Sequence, residues 1–244
     1  MGRGPTVEGR KNAEDAKRAK VFTKLIREIT VASRSGLPDP AVNARLRAAI
    51  DKALSNNMTR ETVDRAVKRG AGGDDGVDMQ ELRYEGYGPA GVALIIDCVS
   101  DNGQRTVADV RHALTRHSGN LGTTGSVAFQ FERCGELVIE TAGDAALEEK
   151  ILEAALEAGA DDVVNDAGSS TVLCTPDSFE SVQQALRGAG LTLARSDVVM
   201  RPSNRLAIPD EAQETLLDLI DCLEELDDVH EVYHNAVLPA ETDS

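Results

Sequence analysis

The most apolar stretch of the chain lies near its middle and predicts a buried strand at Val92 to Val99. The segment SDNGQRT that follows is suited to capping a helix, and an amphipathic pattern then predicts a helix from Thr106 to His117. After the glycine-rich turn GNLGTTG, apolar residues alternate from Val127 to Phe131, which is typical of a strand with one buried face. This order predicts a β-α-β unit over residues 84–131.

The part of the chain before this unit follows a helical pattern. Apolar residues recur at helical spacing from Asn12 to Ser33, and the segment GLPDP ends this first helix. Asp39 is the predicted N-cap of a second helix, with Pro40 at its first position. A third helix is expected between Thr59 and Gly70. The glycine-rich segment MGRGPTVEGRK, residues 1–11, predicts a flexible basic arm instead.

Beyond Arg133 the pattern follows the order β-α-β-β-α-β, which is that of a ferredoxin-like domain. The predicted strands are 137–139, 162–164, 171–174 and 193–200, and the predicted helices are 147–157 and 177–187. A helix at 211–226 and a strand at 229–233 remain. They are too short to fold alone, so we expect them to complete the sheet of the β-α-β unit.

The sequence therefore predicts an α+β protein with a helical N-terminal domain followed by two α+β domains. The first is a basic three-helix domain with its flexible arm, at residues 1–75. The second is a discontinuous middle domain at residues 80–132 plus 207–240. The third is a ferredoxin-like domain at residues 134–205, inserted into the second.

Charge divides the chain into two unlike parts. Residues 1–72 carry 16 Lys and Arg against 8 Asp and Glu, a net charge of +8, whereas the other 172 residues carry 10 against 34, a net charge of −24. This asymmetry favours a module that binds a polyanion, although a solvated helical face would give the same pattern. The predicted nucleic-acid-binding residues are Arg3, Arg10, Lys11, Lys17, Arg18, Lys20, Lys24, Arg27, Arg45, Arg47, Lys52, Arg60, Arg65, Lys68 and Arg69.

The acidic part should repel the phosphates that the basic part attracts. We therefore expect an open molecule, in which a Gly- and Asp-rich linker at residues 71–78 lets the basic domain reach a polyanion. The acidic domains would stay outside or meet a protein partner. The alternative is a collapsed form, with the basic helices neutralised against the acidic domains.

The sequence contains no pattern that identifies an enzyme, a metal site or a cofactor site. The four cysteines are far apart in sequence, whereas zinc sites need closely spaced ligand pairs. Cys98 and Cys222 fall within apolar patterns, so we expect them to be reduced and buried. The segment GYGPAG precedes a strand, whereas a dinucleotide-binding fingerprint follows one, so we interpret it as a hairpin turn. Acidic runs such as ELDDVHE are interpreted as solvated faces. We expect no catalytic residue, no cofactor, no membrane segment and a cytoplasmic protein.

Aromatic residues make up only 3% of the chain and Trp is absent, so stacking platforms for single-stranded bases are scarce.

Three long segments resemble the YebC/PmpR family of bacterial proteins, which includes a mitochondrial translational activator. They are LRAAIDKALSNNMTRETVDRAVKRGAGGDD (46–75), YEGYGPAGVALIIDCVSDNGQRTVADVRHALTRHSGNLGTTGSVAFQF (84–131) and DDVHEVYHN (227–235). The resemblance implies a cytoplasmic regulator of gene expression. Some members are described as DNA-binding transcriptional regulators, others as translation factors that help ribosomes through proline runs.

The chain departs from the family at its start, where members commonly have a short segment with His, Ser, Lys and Trp. Here the segment is GRGPTVEGRK, which contains neither Trp nor His. Two functions stay open. One is a transcriptional regulator on duplex DNA; the alternative is a ribosome-associated factor that contacts ribosomal RNA. Both predict phosphate contacts by residues 1–75. The lack of grouped Asn, Gln and Arg for reading bases mildly favours RNA or low-specificity DNA binding.

Overall fold

The computed structural model describes residues 7–72, 78–166 and 168–238, with side chains from residue 17 onward. Within these ranges, the helices are α1 (Val7–Ser35), α2 (Ala44–Ser55), α3 (Arg60–Gly70), α4 (Gly103–Arg116), α5 (Ala145–Glu157), α6 (Phe179–Gly188) and α7 (Asp210–Glu224). The strands are β1 (Gln80–Tyr87), β2 (Ala93–Ser100), β3 (Asn120–Leu121), β4 (Phe131–Glu140), β5 (Asp162–Asp166), β6 (Ser169–Cys174), β7 (Arg195–Pro202), β8 (Leu206–Ala207), β9 (Val229–His234) and β10 (Ala236–Val237). The predicted α+β fold class is confirmed.

The first three helices pack around one aliphatic core. Ile29 of α1 and Leu46 of α2 lie in it fully buried, together with Val63 of α3. Each such side chain contributes about 1.5–3 kcal/mol when removed from water. The charged positions of α3, such as Arg65 and Lys68, are thereby turned outward, whereas Thr30 and Ser33 of α1 are buried polar residues.

Helix α1 begins before its predicted start. The chain is already helical at Val7, so the predicted flexible arm is wrong for residues 7–11, while residues 1–6 lie outside the described residues. The segment NAEDAKRAK is rich in Ala, Lys and Arg, which have high helix propensity. The helix therefore continues back through Gly9, although a glycine in a helix costs about 1 kcal/mol relative to alanine.

Helix α2 begins after its predicted cap. Asp39 closes a separate turn, in which its side chain accepts a hydrogen bond from the Ala41 N–H at 2.9 Å. The N-cap is Asn43, whose side-chain oxygen accepts from the Leu46 N–H at 3.0 Å. Its amide nitrogen donates to the Ala32 carbonyl of α1 at 2.8 Å. The cap therefore also fixes the connection between the two helices.

The middle of the chain forms a four-stranded sheet in the order β3-β1-β2-β9. Strands β1 and β2 form an antiparallel hairpin, with Gly86 opposite Leu94, and GYGPAG supplies its turn as predicted. Strand β9 completes the sheet by pairing with β2, with Ile96 opposite Val232. Leu114 of α4 and Leu219 of α7 are fully buried in this part of the chain.

The strand predicted at residues 127–131 does not form. Residues Ala128–Gln130 make a single 3-10 turn, and the strand after α4 is the short β3, which pairs antiparallel with β1. Val127 and Phe131 are buried, whereas Phe129 is 76% exposed. The alternating apolar residues are therefore the two buried ends of a turn and not a strand. The predicted β-α-β unit is part of an antiparallel sheet.

The chain divides into two compact units. The first comprises Met1–Ser126, Ala207–His234 and Leu238–Ser244, and the second comprises Val127–Leu206 and Asn235–Val237. The N-terminal helices and the middle sheet thus belong to one unit. The second unit interrupts the first along the chain.

The second unit has the predicted ferredoxin-like arrangement. Its sheet has the order β5-β6-β4-β7 and is antiparallel throughout, with Leu137 opposite Val172. Leu137 is fully buried, as are Ile151 of α5 and Leu186 of α6, which pack in the same core. Because side chains alternate along a strand, Glu136 and Val138 lie on the other face of the sheet.

Candidate nucleic-acid interface

Arg27 of α1 was predicted to bind nucleic acid, but it lies in an internal ionic cluster. Its Nη1 donates to Asp228 Oδ1 at 2.7 Å and to the Val99 carbonyl at 3.2 Å, and its side chain is 16% exposed. Arg105, near the start of α4, donates to Asp228 Oδ2 at 2.8 Å. Asp228 therefore joins α1, α4 and the segment that leads into β9.

The donors around Asp228 hold its carboxylate in the ionised form. Its side chain is 8% exposed, and burial alone would raise its pKa. Hydrogen bonds outweigh burial, so the pKa is lowered below its ordinary value. The donors that lower it are Arg105, Thr106, Arg27 and Ser100.

Sequence reasoning missed this cluster. The run ELDDVHE was interpreted as a solvated face. Asp228 directly precedes the buried Val229, which was the one local signal against a fully solvated run. Its partners are distant in sequence, so only the fold brings them together.

Arg45 of α2 is also engaged in ion pairs. Its Nε donates to Glu28 of α1 at 2.9 Å, and its Nη2 donates to Glu81 of β1 at 2.5 Å. Burial by itself would lower the pKa of Arg45, but the hydrogen bonds to Glu81 and Glu28 raise it overall. Arg45 thus holds α2 against its neighbours.

Lys24 connects α1 to the end of α7. Its Nζ donates to the Glu224 carbonyl at the end of α7 at 3.0 Å, and burial lowers its pKa. Together with Arg27, this contact corrects the expectation that basic and acidic regions lie apart. Opposite charges at contact distance attract strongly where water is partly excluded, so α1 packs on the acidic segment within the first unit.

Two groups of predicted cations do face the solvent. The first, here called the α1 cations, consists of Lys17, Arg18 and Lys20 near the N-terminal end of α1. Arg18 lies over the ring of Phe22, with 5.2 Å between its guanidinium carbon and the ring centroid.

The second group lies on α3. Thr59 caps this helix, and burial of Val63 and Ala66 on one side turns the charged residues to the other. The α3 cations are Arg60, Arg65, Lys68 and Arg69, all of them exposed. The carboxylates Glu61 and Asp64 share this exposed face.

The remaining predicted residues are placed differently. Arg47 is half-buried and donates to the Pro40 carbonyl at 3.0 Å, and Lys52 is exposed in the last turn of α2. Arg10 and Lys11 belong to α1, but their side chains lie outside the described part of the structure, as does all of Arg3. The structure therefore brings the α3 cations together on one helix, whereas Lys24, Arg27 and Arg45 bind carbonyl or carboxylate oxygens of other elements.

In residues 7–72, 78–166 and 168–238 no group of three or more His, Cys, Asp or Glu side chains could hold a metal ion. Cys98 is buried in β2, and burial raises the pKa of its thiol to about 12. Cys222 is only half-buried. No helix of the described chain is long and apolar enough to cross a membrane.

Two family models match the chain with almost no gap between them. The model for the TACO1/YebC protein N-terminal domain matches residues 4–73, and that for the TACO1/YebC second and third domain matches residues 79–236. The first match ends just beyond α3 and the second begins just before β1.

Curated relatives match over nearly their whole length. A probable transcriptional regulatory protein of Xanthomonas campestris is 52% identical over 237 residues, which cover 96% of this chain and 97% of the relative. One of Alcanivorax borkumensis is 55% identical, and the match covers 96% of this chain and 94% of that protein. Among solved structures, a conserved hypothetical protein of Aquifex aeolicus has a TM-score of 0.83 and 40% identity, over 93% of each chain. The chain belongs to the TACO1/YebC family.

Proposed function

We propose that this protein is a nucleic-acid-binding regulator of gene expression, and that it acts as a transcriptional regulator on DNA. The single observation that carries the proposal is the outward face of α3, where Arg60, Arg65, Lys68 and Arg69 are exposed. The curated relatives, named probable transcriptional regulatory proteins, support the same role.

The chemistry of α3 favours contacts to phosphates. Its cations are interspersed with Glu61 and Asp64, and its outward face has no Asn or Gln to pair with adenine edges. Phosphate contacts position a protein on nucleic acid without reading its sequence. We therefore expect low sequence specificity and a steep fall of affinity with salt.

The same observation supports a second candidate function. A helix that contacts phosphates without reading bases suits ribosomal RNA as well as duplex DNA. The alternative is therefore a ribosome-associated translation factor that relieves stalling at proline runs. In that function, α3 would contact ribosomal RNA.

The test compares two variants of the full chain that lose equal charge. One carries Arg60→Gln, Lys68→Gln and Arg69→Gln; the control carries Arg111→Gln, Arg116→Gln and Arg187→Gln, three exposed arginines in α4 and α6. Binding of a labelled DNA duplex is measured by fluorescence anisotropy at several salt concentrations. We expect only the α3 variant to bind weakly and to show a shallower salt dependence.

Equal loss in both variants would mean that net charge, not the α3 face, governs binding, and would contradict the proposal. Cosedimentation of the same two variants with ribosomes separates DNA from the ribosomal alternative.

A further inference from the structure

Phe129 is the exposed member of the small set of aromatic residues. The chain has four Phe, three Tyr and no Trp, all of them in its described part. The other six are buried or half-buried, while Phe129 is 76% exposed.

The turn that carries Phe129 is held firmly. Val127 and Phe131 on either side are buried, and the Gln130 N–H donates to the Val127 carbonyl at 2.9 Å. The Gln130 carbonyl accepts from the Ser203 N–H at 2.8 Å, and the Gln130 side chain accepts from the Asn235 amide at 3.3 Å. A phenyl ring on a fixed turn loses little freedom when it binds a partner, which favours affinity.

Two arginines lie beside this turn on the same unit. In the register of β4 and β7, Pro202 lies opposite Phe131, and Arg201 lies opposite Glu132. The hydrogen bond from Ser203 brings the loop that contains Arg205 against the turn. Both arginines line a cavity of about 450 Å³ on the open face of the sheet.

The charges in this cavity are arranged along the sheet. Arg195 is already neutralised by an ion pair with Glu136. Glu140 and Asp166 lie toward the end of β4 that is remote from Phe131, since Glu140 follows Val138, the residue opposite Arg195. By the strand register, Arg201 lies opposite Glu132, at the end of β7 nearer to Phe129. The side chains of Arg201 and Arg205 line the same cavity as Glu136.

We propose that Phe129, with Arg201 and Arg205, forms a stacking site for an unpaired nucleobase of a single-stranded nucleic acid. The ring stacks on the base, and the guanidinium groups contact the flanking phosphates. Unlike an RNA-recognition motif, in which aromatics on the strands stack the bases, this unit would place its aromatic on the turn at the sheet edge. The inference extends the proposed function to the second unit and rests on it.

The absence of Trp makes a direct test possible. Phe129→Trp introduces a single indole that can still stack, and its fluorescence reports contact with a base. Leu156→Trp is the matched control, because Leu156 is 59% exposed on α5 of the same unit. Titration of each full-length variant with oligouridine and with oligothymidine should quench the first indole and leave the second unchanged. The stronger of the two responses distinguishes RNA from DNA.

Affinity gives the second measurement. Phe129→Ala should weaken binding of oligouridine by about tenfold, the loss expected for one stacked base, and should not affect an abasic oligonucleotide of equal charge. Arg201→Gln with Arg205→Gln should weaken binding of both. Unchanged binding of oligouridine by Phe129→Ala, or equal loss with both oligonucleotides, would overturn the stacking site.

These outcomes remain distinct from those of the proposed function. A wild-type chain that binds duplex DNA but does not respond to single strands would overturn the stacking site alone. A chain that binds single strands through Phe129 but does not bind duplex DNA or ribosomes would overturn the proposed function of α3 alone. Quenching by a protein from an extract, without a response to either oligonucleotide, would identify Phe129 as a protein-docking residue and overturn the inference.

Discussion

Arg27 donates a hydrogen bond to Asp228 at 2.7 Å across 201 positions of sequence. The pair joins the first helix of the chain to the segment before its last long strand. Because Asp228 also accepts from Arg105, the loss of one carboxylate affects two guanidinium groups, of which Arg105 keeps a second partner in Asp101.

Asp228→Asn should destabilise the first unit by about 2–4 kcal/mol, since it leaves the largely buried Arg27 without its carboxylate partner. The measurement is urea unfolding followed by circular dichroism at neutral pH. Asp227→Asn is the matched control, because Asp227 is exposed. An equal effect of the two substitutions would contradict the assigned role of Asp228.

The stability contributed by Asp228 should depend on pH. Its pKa is lower in the folded state than the value of about 3.9 for an unfolded aspartate, so the folded state favours the ionised form. The contribution is then fully present above the unfolded pKa and disappears as the pH falls through the folded pKa. The difference in unfolding free energy between wild type and Asp228→Asn, measured from pH 7 downward, should shrink only below about pH 4. A constant difference down to pH 3 would argue against this linkage.

Arg45 and Arg60 should separate stability from binding. Arg45→Gln removes the pairs with Glu28 and Glu81 and should lower the unfolding free energy by about 1 kcal/mol, since the side chain is 40% exposed. Arg60→Gln should leave stability unchanged and weaken binding of duplex DNA. Thermal unfolding measures the stability of both variants, and fluorescence anisotropy measures their binding of duplex DNA. A loss of stability in Arg60→Gln together with a loss of binding in Arg45→Gln would contradict these roles.

Gly135 should be the least replaceable glycine of the ferredoxin-like unit. A Cβ added there would lie 2.6 Å from the Cys174 sulfur and 2.6 Å from a ring carbon of Phe179. Gly135→Ala should therefore cost about 1–3 kcal/mol by overpacking. Gly188→Ala, at the end of α6, meets no atom within 4 Å and should be neutral or slightly stabilising. Equal unfolding midpoints for the two variants would contradict this packing.

Regular periodicity predicted much of the fold. The helical spacing around Ile29 and the order of elements after Arg133 led to the observed three helices and the ferredoxin-like sheet. The prediction of a helix start failed where two neighbouring residues could both cap the helix. Asp39 and Asn43 are both good N-caps, and only the contact of Asn43 with Ala32 selects the second.

The candidate site was less predictable than the fold. Composition identifies a basic region but cannot tell which cations meet carboxylates from distant elements, as Arg27 and Arg45 do. The alternation from Val127 to Phe131 is equally compatible with a strand and with an anchored turn, and only the structure shows that Phe129 is exposed.

The interrupted first unit has a consequence for the order of synthesis. Strand β9, which pairs with β2, leaves the ribosome only after the whole ferredoxin-like insertion has been made. The insertion can therefore begin to fold while the middle sheet still exposes β2 as an unpaired edge. Asp228 arrives in the same late segment, so α1 gains its anchor at Arg27 only near the end of translation. A nascent chain stopped before residue 228 should thus have α1 packed only on α2 and α3, with Arg27 not yet paired to a carboxylate of the last segment.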